Sequence, residues 1–217
     1  MKMPVGYLIY HPGRCSSNFK GTIVHFDQPK HNQDPYIWNK QFLHSTCHIT
    51  QMRTEPGQIN FWVSGDSFPY FNRLYCDLIF VVKSKIYWEN KDYIDPTDEL
   101  VDNLHSYNDH YYHIPIDHPY KRRRRYTLKA DQELSFQPQD KTGCLIDLLP
   151  ILNKYGFSTS QLHIDFKSGI GSRPIKLLND QIVKYIYDDI FKHAEVKLFG
   201  KDLEKIRLEN SQLASPR

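Results

Sequence analysis

The sequence predicts an α+β fold, and three observations carry that expectation. Residues 59–88 hold two strand patterns around a break. Phe61 and Val63 alternate with Asn60 and Trp62, Gly65-Asp66-Ser67 interrupts, and residues 74–82 form a nearly continuous apolar and β-branched run. Nearer the C-terminus Ile175, Leu178, Ile182, Ile186 and Ile190 recur at helical spacing. Short alternating segments at residues 5–10 and 21–26 add strands bounded by turn residues.

Taken in order, strand 5–10 runs into His11-Pro12-Gly13-Arg14, the start of a turn-forming polar segment that extends to Asn18, and a second short strand follows at 21–26. Residues 28–35 are polar and turn-rich, and 38–52 suit either a short helix or an irregular strand. Glu55-Pro56-Gly57-Gln58 is a turn that delivers the chain into the central pair. A helix is expected to start at Asp95-Pro96 and end near His105, followed by a Tyr/His-rich loop over 108–120. Beyond the basic run, a strand is expected at 130–136, a loop at 137–143, a helix at 145–155 stopped by Gly156, and a last short strand at 162–166. Residues 168–174 form a link into the long helix, and a more exposed helix follows Gly200.

A chain of 217 residues, 40% hydrophobic, can bury one good core or one core with a small appendage. The expected division is a β-rich domain over 1–167 with an inserted helix and a helical C-terminal extension over 168–217. The four cysteines are widely spaced and form no CxxC, which fits a reduced, intracellular setting. The N-terminal apolar run is short for a signal peptide, and no segment is long enough to span a bilayer. A soluble cytoplasmic protein without membrane contact is therefore expected, and no cofactor motif is present.

The net charge of +3 says little, but its distribution says more, because Lys121-Arg122-Arg123-Arg124-Arg125 is a continuous basic run between Tyr120 and Tyr126. Cations that pair with phosphate stand beside rings able to stack on bases. A solvated charge run, or a patch for an acidic protein partner, fits the same residues.

The eleven histidines include His44 and His48 at i and i+4 with Cys47 between them, and a second group, His105, His110, His113 and His118. No HExxH pattern is completed and no further ligand is indicated, so metal binding is not expected. His113 or His118 beside the arginines would suit acid–base chemistry on a phosphodiester, although no spacing requires it. Gly169-Ile170-Gly171-Ser172-Arg173-Pro174 lacks the lysine of a phosphate-binding loop, and a plain connection explains it.

Phe61-Trp62-Val63-Ser64-Gly65-Asp66 followed by the apolar strand 76–82 resembles the core of the PUA-like superfamily, which includes EVE and YTH domains. The nearest likeness is to a nucleotide-modification-associated domain of bacteria and phages, which is similar also in its arginine-rich stretch. The resemblance covers residues 4–136. It implies a mixed β-barrel with flanking helices that reads a modified or flipped base. By position, Trp38, Trp62, Ser64 and Asp66 would form the pocket, and Lys121, Arg122, Arg123, Arg124, Arg125 and Tyr126 would hold the backbone. The expected function is therefore binding of DNA or RNA without chemistry of its own. The alternatives are an enzyme acting on nucleic acid or nucleotides through histidine acid–base groups, and a protein-interaction module of a defence system.

Overall fold

The computed structural model describes residues 5–11, 13–26, 35, 37, 44–45, 54–68, 70–87, 126–167 and 174–210. They form an α+β structure around an eight-stranded mixed sheet. The expected central pair is its middle: β5 (Ile59–Gly65) runs antiparallel to β6 (Leu74–Tyr87), with Phe61 opposite Ile79. On the other side of β5 lies β1 (Gly6–Tyr10), parallel to it, with Leu8 opposite Phe61. This approach is close at its start, because a Cβ on Gly6 would run into the carbonyl oxygen of Ile59.

Both faces of this sheet are covered, so β1 is buried along its whole length. Since side chains alternate, Leu8, Tyr10, Phe61, Val63, Cys76 and Ile79 join one core. Tyr7, Ile9, Trp62, Leu78 and Phe80 join another. The first core is closed by three helices: α1 (Leu149–Lys154), α2 (Thr159–Asp165) and α3 (Asp180–His193). Helix α3 starts where the Asn179 side chain accepts the Ile182 N–H at 3.2 Å, and it buries Val183, Ile186 and Ile190 on one face.

The second core takes Leu128 and Ala130 from β7 (Tyr126–Ala130), which pairs with the far half of β6 and with the short β4 (His44–Ser45). A hairpin of β2 (Cys15–Phe19) and β3 (Thr22–Phe26) packs Phe19 and Val24 on Leu198 and Leu203. Those two leucines belong to β10 (Val196–Phe199) and α4 (Gly200–Glu209).

Several expectations are corrected. Residues 15–19 are a strand, because Lys20 and Gly21 both take positive φ (51° and 93°) and fold the chain into a tight hairpin. Residues 162–166 belong to a helical turn: the Ser158 hydroxyl accepts the Gln161 N–H, and Leu162 and Phe166, four apart, are both buried. The expected loop at 137–143 begins with β8 (Phe136–Gln139), paired to β10. The stretch 168–217 is not helical alone. It supplies β9 (Ile175–Leu177) at one end of the strand path and β10 at the other, as well as α3 to the first core.

Among the described residues the path runs open, β10-β8-β6-β5-β1-β9, and no closed barrel forms. No helix among them is long and apolar enough to cross a membrane. The helix expected at 95–105 lies outside the described residues, as does nearly all of the 38–52 segment.

Candidate functional site

Rows of side chains cross one face of the β1–β5–β6 unit, because each strand repeats every two residues. Tyr7, Asn60 and Phe80 form one row across the three strands, and Ile9, Trp62 and Leu78 form the next. The next row, where β1 and β5 both end, is polar: His11, Ser64 and Asp77. Asp77 enters it through a bulge, since Trp62 pairs with Leu78 but Val63 pairs with Cys76, which leaves Asp77 as the extra residue.

The Asp77 side chain is 0% exposed. Its Oδ1 accepts the Ser64 hydroxyl at 2.8 Å, and its backbone carbonyl accepts from Gln137 Nε2 at 3.1 Å. Its Oδ2 stands 3.0 Å from His11 Nε2, and Arg14 Nη2 stands 3.0 Å from that same nitrogen. A guanidinium only donates, and one imidazole nitrogen cannot accept from Arg14 and donate to Asp77 together, so the two contacts are alternatives. The edge of the His11 ring meets Trp62 at 5.6 Å between centroids. Burial, opposed by the Gly65 amide and reinforced by Asp77 and Asp66, raises the pKa of the neighbouring Tyr10.

Ser64 and Arg14 open onto a cleft of about 830 Å³. Tyr75, Leu145, Ile146, Pro150 and Ile151 give it apolar walls, and Arg14, Arg73 and Lys154 give it positive charge. Its carboxylates are already committed. Asp140 accepts from the Thr142 hydroxyl and from the amides of Thr142 and Cys144, and Asp147 accepts from the amides of Leu74 and Leu149. Asp189 accepts from Lys154 at 2.6 Å and from Tyr155 at 2.8 Å, and these two donors hold its pKa below the ordinary value. Arg73 is exposed and makes no ion pair among the described residues.

One wall is fastened by glutamines that stand in for a neighbouring strand. Gln137 accepts the His25 N–H at 2.8 Å and donates to the His25 carbonyl at 2.9 Å, while Gln139 donates to the Ile23 carbonyl at 2.7 Å. His25 Nε2 contacts the Gly143 carbonyl oxygen at 2.7 Å, which joins the hairpin to the 140–144 loop.

The residues expected from sequence are dispersed. Ser64 lines the cleft. Trp62 is 2% exposed and packed in the second core, so its ring is not a free stacking surface. Asp66 is exposed and organises the β5–β6 loop by accepting the amides of Asn72 (2.8 Å) and Arg73 (3.2 Å). Tyr126 opens β7 opposite Tyr87, about 40 Å along β6 from Tyr75 at the usual rise per residue. Trp38, Lys121 and Arg122 to Arg125 lie outside the described residues, as do Cys47, His48, His105, His110, His113, His118 and Gly169 to Arg173. Among the described residues no three His, Cys, Asp or Glu side chains are grouped to hold a metal. Cys76 is buried, and that burial, with Asp77 nearby, raises its thiol pKa well above the ordinary value.

Sequence reasoning passed over His11, Arg14, Arg73 and Asp77. The available signal was Asp77, a lone acid inside an apolar strand, because a carboxylate in such a place must be bonded or costly.

The Asp66 latch gives a pH prediction. Partial desolvation would raise its pKa, but the amides of Arg73, Asn72 and Ser67 together lower it beneath 3.8. A depressed folded pKa means that the stabilisation is complete above the unfolded value and is lost as pH falls through the folded one. Protection of the Asn72 and Arg73 amides from hydrogen exchange should hold from neutral pH down to about pH 4. It should collapse below that, and Asp66→Ala should remove it at every pH.

Comparison with known protein families, with characterised proteins and with solved structures finds no match.

Proposed function

We propose that this protein binds nucleic acid and seats one nucleotide in the cleft at the ends of β1 and β5. The observation that carries the reading is the cleft itself. Its volume of about 830 Å³ lies in the range of small-ligand sites. Its apolar walls suit a base, while Arg14 and Arg73 supply donors for phosphate and every nearby carboxylate is already bonded. The base-reading polar group in this arrangement is Ser64, fixed by Asp77. Lys121 and Arg122 to Arg125, which precede β7 in sequence, add contacts to the nucleic-acid backbone.

The PUA-like kinship belongs to the same proposal. Strand β6 shifts register near Asp77 and again between Val82 and Ser84, and two bulges in one long strand support a strongly curved sheet. A second reading, an enzyme acting on nucleotides, draws on the buried His11–Asp77 contact behind the cleft floor, since a carboxylate beside imidazole tunes a proton-transferring group. Turnover of nucleotides that is lost in His11→Asn would favour it.

Titration of labelled single-stranded DNA and RNA over a range of salt tests the first reading. Affinity should fall with salt, and Arg73→Ala should weaken binding by roughly 10-fold, as for loss of a charged hydrogen bond. Arg123→Ala with Arg124→Ala should flatten the salt dependence by about one slope unit per lost phosphate contact. Absence of salt-dependent affinity for either nucleic acid would overturn the proposal.

A further inference from the structure

The loop between β5 and β6 holds two aromatic rings in solvent, Phe68 at 46% and Tyr70 at 74% exposure. A loose loop could fold such rings inward, but this one is fixed from several sides. Asp66 accepts two amides across it, the Ser67 hydroxyl donates to the Tyr70 carbonyl at 2.8 Å, and the Asp66 N–H donates to the Arg73 carbonyl at 3.2 Å. Phe71 is its anchor. It is 1% exposed and packed beside Tyr10 and Phe166, with the His163 ring against it edge-on at 4.5 Å. His163 Nε2 also contacts the Phe71 carbonyl oxygen at 2.8 Å.

The outward rings are set as well. Phe68 lies 5.6 Å from Tyr10, and Tyr70 meets His163 edge-on at 5.7 Å. The two ends of this loop, Gly65 and Arg73, both line the cleft. A rigid lip with two exposed rings, and a guanidinium with no ion pair among the described residues, thus borders the cleft. An acidic peptide would use the cation but gain little from flat rings. Bases of an unpaired strand use both, because ring faces stack on bases while the guanidinium holds the intervening phosphate.

We infer that Phe68 and Tyr70 form a stacking platform for a nucleotide adjoining the one in the cleft, which makes the protein a reader of single strands. This rests on the nucleotide reading of the cleft and adds strand selectivity to it. A paired base has its faces covered by its neighbours in the duplex, so the platform has nothing to grip there.

The test compares wild type, Phe68→Leu/Tyr70→Leu and Tyr70→Phe in titrations with a labelled single-stranded oligonucleotide, the matching duplex and adenosine monophosphate. The leucine pair keeps apolar bulk but removes the rings, and both positions are exposed, so folding is preserved. Expected is a loss of about 10-fold or more for the single strand, the scale of one stacked base. Binding of the mononucleotide should be unchanged, the duplex should bind more weakly than the single strand, and Tyr70→Phe should behave as wild type. Undiminished single-strand affinity in the leucine pair overturns the platform while leaving the cleft reading intact. Equal loss for duplex and single strand also overturns it. Failure of wild type to bind any of the three probes overturns both.

Discussion

Replacement of Trp62 by alanine is expected to lower the free energy of unfolding by about 3–5 kcal/mol, the range for removing a large buried aromatic. In a domain of this size that is a fall in Tm of roughly 6–20 °C. The ring is 2% exposed and packs with Tyr7, Ile9, Leu78 and Phe80 on β1, β5 and β6, so alanine opens a cavity at the middle of the sheet. Its indole N–H has no hydrogen-bond partner among the described residues. Trp62→Phe should therefore recover more than half of the loss, because it removes an unsatisfied donor along with part of the volume. Urea denaturation of the three proteins measures this. A loss below about 1 kcal/mol in Trp62→Ala, together with loss of ligand binding, would instead mark the ring as a pocket wall.

Asp77→Ala is expected to have the next largest effect, about 2–4 kcal/mol, because it strands two buried partners at once. The Ser64 hydroxyl loses its acceptor, and His11, 5% exposed, loses the carboxylate 3.0 Å away. Ser64→Ala should cost only about 1 kcal/mol, since it leaves Asp77 facing His11 and removes a single bond. The double substitution should cost less than the sum of the two, and that shortfall is the coupling between Ser64 and Asp77. Nucleotide affinity should fall in both single variants, because Ser64 loses its fixed orientation in one and its hydroxyl in the other.

The central pair was legible because β5 and β6 carry period-two and continuous apolar patterns that no helix would produce, and β1 announced itself likewise. The helical face of α3 was legible through Ile182, Ile186 and Ile190, but Ile175 belongs to β9 and Leu178 is exposed. A short strand pairing far away with β1 gives no local signal, so its apolar residues were absorbed into the neighbouring helical repeat. Strand β8 was hidden for a related reason. Gln137 and Gln139 look like loop residues, yet they are buried because their amides bond the backbone of β3.

The site was the least legible part. Ser64 was named by its position in the resemblance to a PUA-like core, and it lines the cleft. Trp62 was named on the same positional ground, and its burial follows from the tertiary packing of β1 and β6 on either side. His11 and Arg14 belong to one short segment, but Asp77 lies far from both in sequence, and only the parallel β1–β5 contact and the bulge at Asp77 bring it to them.

Ultraviolet crosslinking of the protein to a single-stranded oligonucleotide carrying photoreactive bases, with the crosslinked peptides located by mass spectrometry, tests the cleft most directly. Crosslinks are expected in the peptides spanning 64–75 and 140–151, reduced in Arg73→Ala. Crosslinks confined to other parts of the chain, or no crosslink at all, would contradict it.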